Sequence, residues 1–436
     1  MSTEKAQQEQ QIQKQSKDLW HLYGNTYDLS SFMEKHPGGK QILQVTRGHL
    51  DITPMFESYH AFADLDKLKQ DLATYQVGKS EYPQKYTFNK GEFYDVVRER
   101  VRKYFGTEKN VNHKVKINAF WFTKVSIITI LYLASLYFSF FTNYSTKLTC
   151  LISFISGWLL IAVGMCVYHD ASHFALFQRN FEKNDVFTRI VGAFLLFRPE
   201  LWMTHHSFRH HAYTGDENLD PDIINYQPFI RKVDRVPAKK YMKYTNKILG
   251  LVTCITMWLL PGQGVGQALI YEFTWRIQGR IWRMSYPKEI LNRRIYERLI
   301  LIALVFMHLY KFNIFVTICY FIGYNMAYSL AIVPDHDTNQ THQNFDPSRK
   351  DWGETQVRNS GNFGNKVFFD LYNHIFGGIN YQIEHHLFPS MCNVHLNQIS
   401  PIVQETCKEF NVPYVSHISV ISAYKDFLKG IMKINQ

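Results

Sequence analysis

Three long stretches without a charged side chain constrain the fold of this chain more than any other feature. They cover residues 125–146, 148–168 and 312–334, and each is long enough to cross a bilayer, which takes ~20 residues as a helix. One such run would also fit a buried core helix of a large soluble enzyme, but three together favour a membrane protein. The mean hydropathy of −0.23 hides this segregation, because polar segments elsewhere offset the apolar runs. The sequence therefore predicts a mostly α-helical membrane protein.

The net charge of +11 raises the question of a nucleic-acid partner. The basic residues instead gather near the apolar runs, and those before the first run include Arg98, Arg100, Arg102, Lys103, Lys114 and Lys116. Positive charge flanking a span marks its cytoplasmic side and attracts anionic lipid. We therefore expect these basic residues to interact with the lipid bilayer and not with nucleic acid.

The order of segments predicts four parts. Residues 1–16 form a polar tail that we expect to be disordered, with no apolar signal region and hence no cleaved secretory peptide. Residues 17–80 form a compact unit, and residues 81–118 a charged, partly helical connector. The membrane domain covers residues 119–436, and its first two spans are joined tightly near residues 143–147. Six scattered cysteines without a CxxC pair argue against a disulfide framework and a thiolate metal site.

The compact unit carries a haem-binding pattern. In "EKHPGGK" the glycines after His36 allow a tight turn and a close approach of a flat ligand, and His60 follows 24 positions after His36. Two neutral imidazoles on opposite faces of a haem suit electron transfer, because they leave no open coordination site. The unit resembles cytochrome b5 through "HPGG", this spacing and the intervening D-x-T-x-x-F. The resemblance implies an α+β domain that binds haem b through His36 and His60.

Two other interpretations of this unit stay open at the level of sequence. One is an ordinary small domain with a glycine turn and an unrelated histidine. The other is a cytochrome b5-like fold that binds a different molecule, since His60 stands in "SYHA" where "GHS" is commoner.

Three histidine clusters lie beside the apolar runs, where polar residues mark functional sites. The first is "YHDASH", whose two histidines at i and i+4 share one helix face; the second is "HHSFRHH", and the third is "QIEHH". Imidazoles without thiolates suit iron, copper, zinc or nickel, and more than six of them imply two metals. Zinc would serve hydrolysis, which needs no electrons, so the electron-transfer unit favours iron.

The pattern HxxxH, HxxxHH and QxxHH, fused to a cytochrome b5-like unit, resembles the membrane fatty-acid desaturases. It is similar in particular to the front-end branch, in which the third box begins with Gln. The resemblance implies catalytic and metal-ligand roles for the matching positions: His169, His173, His206, His210, His211, Gln382, His385 and His386.

Further residues near the boxes are assigned with the same resemblance in mind. His336, in "VPDHDT", matches an additional ligand position, whereas His205 is interpreted as polar surface or support. Asp170, Asp335 and Glu384 adjoin ligands and are expected to accept ring N–H bonds. The histidines without a matching pattern are taken as structural: His21, His49, His113, His308, His342, His374, His395 and His417.

The resemblance also implies a reaction. A front-end desaturase inserts a cis double bond between an existing one and the carboxyl end of an acyl-lipid or acyl-CoA, with reduction of O2 to water. Electrons pass from NAD(P)H through cytochrome b5 reductase to the haem, and then to two non-haem irons. The enzyme is expected in the endoplasmic reticulum membrane, with the haem and di-iron domains facing the cytoplasm. A sphingolipid long-chain-base desaturase, a lipid hydroxylase and a membrane-anchored electron carrier with inactive boxes are the alternatives.

Function also constrains the topology. For all three boxes to meet on one face, an even number of crossings must lie between His211 and His385. We favour a four-span domain in which residues 299–334 form a hairpin and residues 248–271 lie in the interface or re-enter the membrane. Spans at 248–271 and 312–334 are the alternative.

Overall fold

The computed structural model describes residues 19–48, 50–106, 111–224, 231–245, 247–248, 294–310, 313–364 and 370–434. Two segments with sequence-based predictions lie outside this range, namely the polar tail at 1–16 and nearly all of the 248–271 run. The described part is mostly helical, as predicted.

The N-terminal unit combines a small antiparallel sheet with short helices. Its strands are Trp20–Leu22, Asn25–Tyr27 and Gln76–Lys79, paired in that order. Its helices are the 3-10 turn Met33–Lys35 and the α-helices Lys40–Thr46, Thr53–Tyr59 and Leu65–Ala73. The core is apolar and contains Trp20, Leu22, Tyr27, Leu29, Leu43 and Leu72. This is the predicted α+β unit.

The segment after this unit contains the helix Phe93–Phe105 and the 3-10 turn Asn112–Val115. The helix connects two parts of the fold. Arg98 forms a 2.8 Å ion pair with Glu57 of the N-terminal unit, and Arg100 donates to Thr406 at 3.1 Å. The partly helical connector is therefore a packed element rather than a free linker.

Three described helices are long and apolar enough to cross a membrane: Asn112–Phe140, Thr146–Ser172 and Ile314–Ile332. The first two are joined by residues 141–145, which confirms the predicted tight connection. Large apolar side chains on these helices point away from the protein, as with Ile130 at 64% and Phe315 at 66% exposure. Such exposure fits contact with lipid.

The predicted hairpin at 299–334 corresponds to the helices Ile295–Tyr310 and Ile314–Ile332. The ring of His308 lies against those of Tyr320 and Phe321, with centroids 5.3 and 5.8 Å apart. The first helix has 16 residues and is ~24 Å long, shorter than a hydrocarbon core of ~30 Å. The four-span topology stays a prediction.

The second and third candidate spans cross in backbone contact at two glycines. A Cβ at Gly157 would lie 2.0 Å from the Tyr320 oxygen, and one at Gly323 would lie 2.0 Å from the Phe154 oxygen. Small residues allow such close crossings in membrane helices. The Ser153 hydroxyl also donates across the crossing to the Val316 oxygen at 2.8 Å. This crossing fixes the ends of the two helices, from which the first histidine box and His336 follow.

Valine in place of Gly323 is expected to destabilise the membrane domain, because the added side chain meets backbone that cannot turn aside. Overpacking typically costs about 1–3 kcal/mol, so the thermal unfolding midpoint in detergent should fall by several degrees. The matched control is Gly78→Ala, whose new Cβ meets no heavy atom within 4 Å. An unchanged midpoint for Gly323→Val would contradict the close crossing.

The polar segments fold onto the ends of these two spans. Asn393 donates from its backbone to the Asp170 carboxylate at 2.8 Å, and Gly361 donates to the Asp335 oxygen at 2.8 Å. Strands Gly361–Phe363 and Val415–His417 form a parallel pair. The other described helical segments are Phe181–Phe194, Pro199–Trp202, Met203–His210, His211–Tyr213, Pro221–Ile224, Asn339–Asn344, Trp352–Arg358, Leu371–Ile375, Gln382–Leu387, Asn393–His395, Leu396–Glu409 and Val420–Lys433.

Candidate metal centre

Two π-helical turns hold His169 of the first histidine box and His206 and His210 of the second. These turns are Gly164–His169 and Met203–His210, and π-turns are often found at functional sites. The rings of His206 and His210 stack on one face, as the i and i+4 spacing predicts, with centroids 5.5 Å apart. The nitrogen nearest to His206 Nε2 within this box is nevertheless Nε2 of His211, at 3.3 Å. The π-turn therefore brings the rings of His206 and His211 together, and His210 belongs to a second group of histidines that is described below.

The first histidine group combines all three boxes. Four ring nitrogens lie within 4.8 Å of one another, from His169, His173, His206 and His385. Nε2 of His211 joins them, 3.1 Å from Nε2 of His385. Two nitrogens bound about 2.1 Å from one metal lie about 3.0–3.4 Å apart at ordinary coordination angles. The first group can therefore hold a metal ion.

The second histidine group lies directly beside the first. It contains His210, His336 and His386, and the Gln382 amide nitrogen lies 2.9 Å from Nε2 of His336 and 3.1 Å from Nε2 of His386. The rings of His211 and His386 stack with centroids 4.0 Å apart, so the two groups adjoin. The structure thus brings together every residue that the three boxes supplied, and it adds His336.

The hydrogen bonds of the second group test whether it fits a metal. Nδ1 of His210 faces the Asp220 carboxylate at 3.0 Å, and Nδ1 of His336 faces the Asn359 backbone oxygen at 2.9 Å. Both Nδ1 atoms must therefore carry the proton that they donate, which leaves a lone pair on each Nε2 of a neutral ring. These two Nε2 atoms are 3.2 Å apart. Facing lone pairs repel each other unless a metal ion or a proton lies between them, so the arrangement fits a bound metal.

The first group gives an independent indication. Nε2 of His173 is buried and has no hydrogen-bond partner within the described part of the chain. An unsatisfied buried polar atom costs free energy, and a metal ligand is the ordinary reason for an imidazole nitrogen in that state.

Most of these rings are held in the neutral form that binds metals. Burial, followed by the charge of neighbouring histidines, holds the pKa well below its usual range for five residues, namely His173, His206, His211, His385 and His386. The same causes lower the pKa of His336 to about 3. Burial also lowers the pKa of His210, but Asp220 and Asp222 outweigh it and raise the pKa to about 9. Neutral imidazole is the form that binds metals, so at His210 a metal competes with a proton.

The N-terminal unit presents a second binding arrangement between His36 and His60. The two ring centroids are 6.4 Å apart, and two metal–nitrogen bonds of about 2 Å plus the two half-rings add up to about 6 Å. Nδ1 of His36 donates to Gly39 O at 3.3 Å and Nδ1 of His60 to Phe56 O at 2.8 Å, which leaves both Nε2 atoms for a ligand. Burial, together with the charge of His60, lowers the pKa of His36 to about 4. The pair fits the two axial ligands of a haem.

Comparison with known families agrees with this geometry. The family described as "Fatty acid desaturase" matches residues 145–417. The chain belongs to this family. A second family, "Cytochrome b5-like Heme/Steroid binding domain", matches residues 4–81. The b5 domain implies a haem and the desaturase domain implies iron, and the predicted fusion is confirmed.

Similar proteins cover nearly the whole of this desaturase. "Acyl-lipid (8-3)-desaturase" of Physcomitrium patens is 28% identical over an alignment of 455 positions, which covers 96% of this chain and 88% of the relative. "Acyl-lipid (8-3)-desaturase B" of Dictyostelium discoideum is 29% identical over 451 residues, with 96% and 92% covered. The protein named "Acyl-lipid (8-3)-desaturase" of Mortierella alpina is 25% identical, with 94% and 92% covered.

The prediction that Asp170, Asp335 and Glu384 accept hydrogen bonds from the ligand histidines is wrong. Asp170 lies 3.6 Å from Nδ1 of His169 and accepts from Asn393 instead. Glu384 accepts from Asn362 and Tyr414, and one Asp335 oxygen has no partner among the described residues. Neighbours at i and i+1 on a helix point in different directions, so adjacency in sequence does not bring a carboxylate to the ligand ring. The observed acceptors lie farther along the chain: Asp220, Asp222, Gln356 and Asn359.

The neighbouring histidine of the second box stands apart from both groups. Nε2 of His205 lies 2.6 Å from the Asp222 carboxylate, and the other Asp222 oxygen lies 3.3 Å from Nδ1 of His210. His205 thus contacts a residue that supports His210. The other histidines taken as structural lie outside both groups, except His49, which is outside the described residues.

Asparagine in place of Asp220 should weaken metal binding at the second group. The substitution removes the charge that polarises His210, and loss of such a partner typically lowers metal affinity about 10–100-fold. Titration of metal-free desaturase with ferrous iron measures the change. The matched control is Asp346→Asn, because Asp346 hydrogen-bonds only locally to Ser348 and Arg349. Equal affinity in Asp220→Asn and wild type would contradict this role of Asp220.

Proposed function

We propose that this protein is a front-end acyl-lipid desaturase that inserts a cis double bond on the carboxyl side of an existing one. The observation that carries the proposal is the pair of adjoining histidine groups, His211 against His386 at 4.0 Å, in one chain with a haem unit. A hydrolase would need no electron donor. A pure electron carrier would need no second metal centre built from eight histidines and a glutamine.

The stoichiometry explains why both centres are needed. Desaturation of R–CH2–CH2–R′ with O2, two electrons and two protons yields R–CH=CH–R′ and two waters. Iron bound at the two groups would supply the O2 activation. Accordingly, we assign the first group, His169, His173, His206, His211 and His385, and the second group, His210, His336, His386 and Gln382, as the ligands of two non-haem irons.

The chain's own residues prepare these ligands. Asp220 and the Asn359 carbonyl fix which nitrogen of His210 and His336 faces the metal. Tight burial of all three boxes excludes bulk water, since His173 and His386 are fully buried. A dry, preorganised site favours the removal of hydrogen atoms from the acyl chain over side reactions with water.

The proposal also includes the source of the electrons and the membrane in which the protein lies. His36 and His60 hold haem b, which receives electrons from NAD(P)H through cytochrome b5 reductase. Basic residues such as Lys114 and Lys116 lie at the start of the first span and favour a cytoplasmic position for that end. Both metal sites would then face the cytoplasm, in the endoplasmic reticulum membrane.

The names of similar proteins suggest the substrate and position. The relatives from Physcomitrium patens and Mortierella alpina are named acyl-lipid desaturases, and one from Dictyostelium discoideum is named "Delta(5) fatty acid desaturase A". We therefore place the substrate as a lipid-linked acyl chain rather than acyl-CoA, and the new double bond at carbon 5.

Expression in a host without front-end desaturases, fed unsaturated C18 and C20 acids, tests this function. Mass-spectrometric localisation should find a new double bond near the carboxyl end, in fatty acids released from phospholipids. A new double bond in long-chain bases would transfer the assignment to sphingolipids, and a product heavier by one oxygen would indicate a hydroxylase. Absence of all three in cells containing folded, haem-loaded protein would contradict the proposal.

A further inference from the structure

One side chain connects the haem-binding unit to the candidate metal centre. Tyr59 ends the helix Thr53–Tyr59 and directly precedes His60, the second histidine of the haem pair. Its hydroxyl lies 2.8 Å from Nδ1 of His173, a member of the first histidine group. Among the described residues of the 19–80 unit, no other side chain hydrogen-bonds to a histidine of either group.

The hydrogen bonds of Tyr59 have a defined direction. The Tyr59 hydroxyl donates to the Ser207 backbone oxygen at 3.1 Å, so its oxygen is free to accept the proton on Nδ1 of His173. Nε2 of His173, the buried atom without a partner among the described residues, then presents its lone pair to the metal. Tyr59 thus fixes the tautomer of one ligand.

The aromatic ring of Tyr59 is held in place by stacking and edge contacts. It lies nearly parallel to the His173 ring, at 17° with centroids 6.3 Å apart. The rings of Phe174 and Phe208 meet its edge, each at 6.3 Å. Both phenylalanines belong to segments that carry histidine boxes, so the ring is inserted between the first and second boxes.

The rest of the interface holds the helix of Tyr59 firmly. Glu57, which is fully buried, pairs with Arg98 at 2.8 Å and with Lys69 at 2.6 Å. The rings of Phe62 and Phe388 lie 5.5 Å apart, and the Tyr213 hydroxyl donates to the Asp51 backbone oxygen. One apolar core spans the interface. It includes Met55, Ala61 and Phe62 of the N-terminal unit, and Phe208, Ala212 and Tyr213 of the segment that carries the second histidine box. The N-terminal unit is therefore packed against the metal centre.

We propose that Tyr59 is the positioning residue that couples the haem to the metal centre, and that electrons enter through the His173 group. The route runs from His60 along one peptide unit to Tyr59, and then across one hydrogen bond to His173. In each transfer a ferrous haem becomes ferric and a ferric iron becomes ferrous, and two transfers supply the two electrons of the reaction. This inference rests on the proposed function. The tyrosine stands where "SYHA" replaces the commoner "GHS", so the departure from the b5 pattern creates the contact.

The test compares Tyr59→Phe with the unchanged full-length protein, loaded with haem and iron and held in lipid nanodiscs. The variant keeps the packed ring and removes the hydrogen bond to His173. After anaerobic reduction of the haem, mixing with O2 and lipid substrate starts re-oxidation, which the haem absorbance follows without product analysis. We expect re-oxidation to slow at least about tenfold, the lower range for loss of a partner that orients a ligand. Iron-free protein gives the rate of direct oxidation by O2.

Four measurements separate coupling from a structural effect. The haem spectrum, the haem potential and the rate of haem reduction by the reductase should match those of the unchanged protein. Turnover driven by a small-molecule reductant, which bypasses the haem, should fall far less than haem-driven turnover. The matched control is Tyr23→Phe, which removes a 2.7 Å hydrogen bond to Glu57 in the same unit and contacts neither histidine group. It should not slow haem re-oxidation.

Three results would overturn the inference. The first is haem re-oxidation in Tyr59→Phe at the rate of the unchanged protein. The second is an equal decrease in Tyr59→Phe of haem-driven turnover and of turnover driven by the small-molecule reductant. The third is haem re-oxidation in Tyr23→Phe that is as slow as in Tyr59→Phe. A failure of the proposed function would look different, because re-oxidation of the unchanged protein would then not depend on iron.

Discussion

Alanine in place of His206 is expected to abolish desaturation, while the haem absorbance should stay that of the unchanged protein. His206 lies 3.2 Å from His169 and 3.3 Å from His211 between Nε2 atoms, so its loss removes a shared member of the first group. The expected decrease in product exceeds roughly 100-fold, because loss of a supporting partner alone typically costs about 10–100-fold. Fatty-acid analysis of expressing cells and the haem spectrum of purified protein measure the two effects.

The adjacent His205→Ala provides a matched control. His205 contacts Asp222 at 2.6 Å and belongs to neither histidine group, so its loss should cost about tenfold at most. Equal loss of product in both variants would contradict the assignment of His206 as a ligand and His205 as a neighbour. Loss of the haem in His206→Ala would contradict the separation of the two sites.

Alanine in place of His60 is expected to remove the haem and stop desaturation driven by NAD(P)H, while the non-haem iron should stay bound. The His60 ring faces His36 with centroids 6.4 Å apart, and a haem held by one imidazole lacks half of its axial ligation. We expect the haem absorbance to be lost and reductase-driven turnover to fall at least about 100-fold. Absorbance, iron analysis and product analysis on one preparation measure all three.

The control for His60 is His113→Ala, because His113 is exposed and lies outside both histidine groups. It should keep haem, iron and turnover. Desaturation by His60→Ala at the unchanged rate would show that electrons reach the centre by another carrier. Loss of iron in His60→Ala would mean that the haem unit and the metal centre do not fold as separable sites.

Most residues of the candidate site could be predicted from the sequence, because metal-ligating side chains are chemically distinctive and occur in short histidine motifs. His169, His206 and His385 were all found this way, and His336 came from the resemblance. The division into two groups was not predictable. The spacing of His206, His210 and His211 is compatible with either helical pitch, and only the π-turn shows that His206 pairs with His211.

The residues that hydrogen-bond to the ligand histidines could not be predicted from the sequence, for a different reason. Asp220 lies ten residues from His210 in the chain, and Tyr59 lies 114 residues from His173. Such contacts depend on how loops and domains pack, which no local periodicity encodes. Adjacency was the only signal available, and it selected Asp170 and Glu384, whose carboxylates serve Asn393 and Asn362 instead.

Quantification of non-haem iron per haem in purified, active protein tests whether the histidine groups hold two irons. We expect two non-haem irons for each haem in protein that desaturates, with selective weakening of one iron in His336→Ala, since His336 belongs to the second group alone. Full desaturation by protein with a single non-haem iron per haem, or with none, would contradict it.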